Sequence, residues 1–69
     1  MSFEERFNQI LKERGASKAA LARILDIPQS TFMYKSKRLD AWKVPEFNKL
    51  VTELRLTDEE VTFLTSDVD

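Results

Sequence analysis

Apolar residues recur three and four positions apart along most of the chain, and no stretch shows the strict alternation of a half-buried strand. The pattern predicts an all-α fold, a compact five-helix bundle. Phe3, Phe7, Ile10 and Leu11 form the first apolar stripe, with Arg14 in the same spacing. Ser2 followed by Glu5 is a capping-box pair that satisfies two orphan donors at a helix start, and Gly15 supplies a left-handed stop. Ser17 can cap a second helix whose apolar face is Leu21, Ala22, Ile24 and Leu25; Ile27 then enters the core. A third helix is expected from Pro28, in the first-turn position that proline tolerates, to about Lys37. Pro45 opens a fourth helix with Phe47, Leu50, Val51 and Leu54 inward. Thr57 and Glu60 form a second capping box for a fifth helix, with Leu56 stapled against Val61, and Val61 and Leu64 close the core.

The third helix is unusual in what it leaves outside. Phe32 is its clear core anchor, with small Ser36 and then Leu39 following along the same side. Gln29, Met33 and Lys37 lie one turn apart on the opposite side, with Ser30 and Tyr34 beside them. An amide, a hydroxyl, a thioether and a phenol on one face suit recognition better than burial. Each also has a plain reading: Gln29 and Ser30 as ordinary first-turn residues, Met33 as core or a dimer contact, and Tyr34 lying over the core rim. Trp42, after the basic "SKRLDAWKVP" segment, is expected to plug the core between the third and fourth helices.

Sixty-nine residues make one domain, expected over 1–66 with a frayed tail at 67–69. There is no cysteine and no histidine, which excludes thiolate or imidazole metal sites and Cys–His or Ser–His–Asp catalysis in this chain. Carboxylates alone, with no glycine-rich phosphate cradle, do not suggest an enzyme; no cofactor and no small-molecule substrate are expected. The chain has no apolar run of membrane-spanning length, and reads as soluble and cytoplasmic, with no membrane partner. Net charge is -1, but its distribution is uneven. Residues 1–52 carry ten Lys/Arg against six Asp/Glu, and residues 53–69 carry one against six.

Two short helices joined by a tight turn, the second exposing polar groups, form a helix-turn-helix. In that arrangement small Ala22 sits where the helices cross, Ile27 fills the angle and Phe32 anchors the second helix. "SKAALARILDIPQSTFMYKSKR" resembles the helix-turn-helix of the Cro/lambda-repressor family, and "DAWKVPEFNKLVTELRLTDEEVTFL" is similar to the last two helices of small phage or prophage Cro-like regulators. Two positions depart from the family pattern. Asp26 stands where the turn usually has glycine, so a left-handed Asp26 is expected. Lys35 stands where a large apolar anchor is common, so either the third helix is rotated or its core contact passes to Ser36 and Leu39.

The resemblance implies a sequence-specific DNA-binding transcriptional regulator that inserts helix three into the major groove. It implies base contacts from Gln29, Ser30, Met33 and Tyr34, and phosphate contacts from Lys18, Lys35, Lys37, Arg38 and Lys43. The implied partner is a double-stranded operator, bound as a homodimer in a bacterial host cell, because one recognition helix reads only a few base pairs. The C-terminal half would supply the dimer contact, with Phe63 and Val68 as candidates. The alternative is a protein-binding module on the same fold, an anti-repressor or partner subunit, which the acidic "TDEEVTFLTSDVD" segment motivates.

Overall fold

The computed structural model describes residues 2–66. Among these the fold is all-α, with five helices: α1 (Phe3–Arg14), α2 (Lys18–Leu25), α3 (Gln29–Lys35), α4 (Val44–Leu54) and α5 (Asp58–Thr65), with a single 3-10 turn at Leu39–Ala41 before α4. The expected tail at 67–69, including Val68, lies outside the described residues.

The helix starts follow the local chemistry. The Glu5 amide donates to Ser2 Oγ at 3.2 Å and the Ser2 amide to Glu5 Oε1 at 3.1 Å. Thr57 and Glu60 repeat the arrangement at α5, and Ser17 Oγ accepts from the Ala20 amide. These backbone hydrogen bonds hold the Glu5 and Glu60 carboxyls below the usual carboxylate range. Pro28 corrects the expected third helix by one residue: it is extended at φ -60° and ψ 148° and precedes the first helical residue, Gln29.

Three helices stop in the same way. Gly15, Asp26 and Arg55 are left-handed, at φ 64°, 59° and 54°. In each case the amide of the next residue reaches back five positions: Ala16 to Leu11, Ile27 to Ala22, Leu56 to Val51. That residue is apolar every time, and packs on the core. Left-handed reversal plus an apolar plug satisfies the terminal carbonyls and turns the chain inward at once. Asp26 thus adopts the expected conformation. Its side chain makes no hydrogen bond among the described residues, so Asp26→Gly should raise stability by up to about 1 kcal/mol in a denaturant titration. A clear loss would mean that the carboxylate stabilises the turn in some other way.

The core is Phe3, Phe7, Ile10 and Leu11 of α1, Leu21 and Ala22 of α2, Phe32 of α3, Leu50 and Leu54 of α4, and Leu64 of α5. Phe32 sits at its centre, 6.0 Å from the Phe7 ring and 5.9 Å from Trp42, which meets it edge-on. Trp42 also contacts Phe47 edge-on and packs against the core between α3 and α4, as its sequence context suggests. Ile24 corrects the expected face of α2: it is 41% exposed. Leu21, Leu25 and Ala22 span about 100° of the helix, and Ile24 lies about 110° from the middle of that stripe. Arginines of α1 tie the C-terminal half in place. Arg6 Nη1 donates to the carbonyls of Phe63 and Ser66, both at 2.8 Å, while Arg14 donates to the Arg55 carbonyl and pairs with Glu60.

Candidate nucleic-acid interface

α2 and α3 are joined by three residues, Asp26 to Pro28. The left-handed Asp26 and the inward Ile27 force the chain to turn sharply, so α3 packs directly against α2. An open concavity lies between them, lined by Ala19, Ala22, Arg23, Asp26 and Gln29. The two alanines leave room for it.

α3 then divides into two faces. Phe32 and Ser36 are fully buried, and Leu39 packs against the core. Ser36 and Leu39 thus supply core contacts, and Lys35 keeps an inward place beside them. Ser36 can be buried because its hydroxyl donates to the Met33 carbonyl at 2.7 Å. Gln29 and Ser30 are exposed in the first turn, and Met33 and Tyr34 are 37% and 56% exposed. The four residues expected to read bases are thus side by side at the surface, on one short rigid element.

The basic set needs one correction. Lys35 is only 8% exposed. Its Nζ donates to Glu46 Oε1 at 2.5 Å and to the Ala41 carbonyl at 3.1 Å, and lies 5.8 Å from the Trp42 ring centroid. Its aliphatic stem fills the place of an apolar anchor and its ammonium is consumed internally, so it does not face phosphate. Its hydrogen bond, with that of the Lys43 amide, holds the Glu46 carboxyl below the usual range.

The other cations stay outside. Lys37 and Lys43 are exposed and have no ion-pair partner among the described residues; Lys18 is half-buried at the start of α2. Arg38 is exposed but engaged: its Nε and Nη2 donate to the two oxygens of Asp40 at 3.1 and 2.9 Å. The hydrogen bond from Arg38 holds Asp40 below its ordinary value, while Asp40 and then the neighbouring Tyr34 push Arg38 up. A phosphate must compete with Asp40 for this guanidinium.

Arg23 is a residue that sequence reading passed over. It is exposed on the last turn of α2 and borders the same concavity as Gln29. The signal was its place on α2 opposite the buried stripe, one turn before Ile27. Phe63, expected as an exposed candidate for a dimer contact, is less exposed than that. It is half-buried, packs against the core and carries the Arg6 guanidinium 5.3 Å above its ring. Outside α3, the large apolar side chains left exposed among the described residues are Ile24 and Val44. No described helix is long and apolar enough to cross a membrane.

Compared with family models, with curated proteins and with solved structures, the chain finds no match.

Proposed function

We propose that this chain is a sequence-specific DNA-binding transcriptional regulator, built on a helix-turn-helix formed by α2 and α3 and resembling Cro or the lambda-type repressors. The observation that carries this reading is the division of α3 between two faces. Phe32, Lys35 and Ser36 fix one side of a seven-residue helix, and Gln29, Ser30, Met33 and Tyr34 stand exposed on the other. None of these four side chains belongs to the core. Glutamine can bond adenine through N6 and N7, serine can donate or accept, and a thioether can pack on a thymine methyl. Lys37, Arg38 and Lys43 then lie on the segment that follows the helix and Lys18 at the start of α2, as phosphate contacts that would set register without reading sequence. The regulator acts as a dimer on a two-fold operator, in the cytoplasm of a bacterial host.

The acidic concavity between α1 and α5, bordered by Glu13, Glu59 and Glu60, favours a second reading as a protein-binding module. The two readings differ in what duplex DNA does. Sites are first enriched from a random duplex pool. Gln29→Ala should then lose about 1–3 kcal/mol of discrimination at one base-pair position of the enriched site. Arg38→Ala should weaken all duplexes nearly equally and lower the salt slope by about 1 per protomer. Failure of any duplex to enrich, with retention of an acidic-face partner, would favour the second reading.

A further inference from the structure

We propose that Lys35 is a positioning residue, which clamps the end of the segment 36–43 onto α3 and the start of α4 and thereby sets where Lys43 meets phosphate. The inference rests on the DNA reading above, since it concerns how that interface is assembled.

Two residues of the loop and one of α4 return to this single residue. The Lys35 ammonium holds the Ala41 carbonyl at 3.1 Å, and it holds Glu46 Oε1 at 2.5 Å. The Lys35 carbonyl accepts from Trp42 Nε1 at 2.9 Å. Glu46 Oε1 also accepts from the Lys43 amide at 3.1 Å, so the carboxylate that pairs with Lys35 is the one that orders the entry to α4. Between these anchor points the chain makes short turn bonds, such as Arg38 N–H to the Lys35 carbonyl and Ala41 N–H to the Arg38 carbonyl, with the Arg38–Asp40 pair at the surface and Leu39 packed on the core. The Lys37 amide is held by the Tyr34 carbonyl at 3.2 Å as a continuation of α3, whereas Lys43 is tied at the start of α4, where its amide bonds Glu46, the partner of Lys35. The placement of Lys43 is thus linked to Lys35 through Glu46.

A purely structural role explains the lysine poorly. A mostly buried ion pair is a weak source of stability, because losing water offsets the attraction; an apolar side chain of similar length serves a core as well. What the ammonium adds is direction. It bonds a carbonyl and a carboxylate from two successive elements at once, which methionine cannot do. The clamp also explains why a cation sits in the recognition helix without facing outward.

The test is the double variant Lys35→Met/Glu46→Gln, which removes the ion pair while leaving net charge unchanged and keeping an acceptor for the Lys43 amide. Its melting temperature should stay within about 5 °C of the native protein. Amide exchange across 37–43 should quicken about tenfold while the α1 and α4 core is unchanged. Affinity for duplex should fall about tenfold with a shallower salt dependence, as Lys43 loses its fixed place. Because net charge is constant, general electrostatics predicts no such loss. Native affinity, or native exchange across 37–43, would overturn the clamp. A variant that fails to fold would assign Lys35 to stability instead. If the native protein binds no duplex at low salt, the DNA reading itself fails; a positive result for native protein with an unaltered variant sinks only the clamp.

Discussion

Raising salt from 50 to 200 mM should weaken duplex binding by about four orders of magnitude. Four cations remain for phosphate in each protomer, Lys18, Lys37, Arg38 and Lys43, and thus eight in a dimer. At about 0.9 counterions released per phosphate contact, log affinity should fall with log salt at a slope of about -7. The slope reads the composition of the interface. Inclusion of Lys35 would steepen it to about -9, whereas an Arg38 that stays with Asp40 would leave about -5. The chain's overall charge of -1 does not oppose this, because binding responds to the local field and six of its twelve acidic residues fall at 53–69. A titration over this salt range, on an enriched site and on random duplex, gives the slope; a value near zero removes phosphate contact altogether.

Phe32→Ala should cost about 3–5 kcal/mol and leave the domain largely unfolded at growth temperature. The ring is fully buried among Phe7 and Trp42, so its removal leaves a cavity that rigid neighbours cannot close. Small domains have about 5–15 kcal/mol in total, and one of this length sits toward the lower end. Trp42, the chain's single tryptophan, meets Phe32 edge-on and reports the loss by fluorescence during the melt. Gln29→Ala, three residues earlier on the same helix, should shift stability by no more than about 0.5 kcal/mol. The reverse outcome would mean that the faces of α3 are exchanged.

What could be read from the sequence was what neighbouring residues decide together. Ser2 with Glu5 and Thr57 with Glu60 announce their helices because both halves of the hydrogen-bonded pair lie within one turn. Gly15 needs no context to adopt a left-handed conformation, and Asp26 became legible through its position between two helical patterns. Arg55 did not, since arginine has no particular preference for that region; the apolar Leu56 behind it was the only trace of the stop. Division of α3 followed from the spacing of Phe32, Ser36 and Leu39. Lys35 was misread because its partners lie six and eleven residues away and meet it only after α4 has packed. From charge alone it was one more cation in a basic run. The clue was positional: a residue at an apolar register, with a long aliphatic stem and a single glutamate on the next helix start. The partial burial of Phe63 was hidden for the same kind of reason, since Arg6, which lies over its ring, is 57 residues earlier.

The most direct test of the DNA reading is a titration of isotopically labelled protein with short duplex at low salt, followed amide by amide in solution by NMR. Saturable shifts should concentrate at Gln29, Ser30, Met33, Tyr34, Lys37 and Lys43, with little change along α1 and α5. Absence of shifts at any duplex concentration, or shifts centred on Glu13, Glu59 and Glu60, would contradict it.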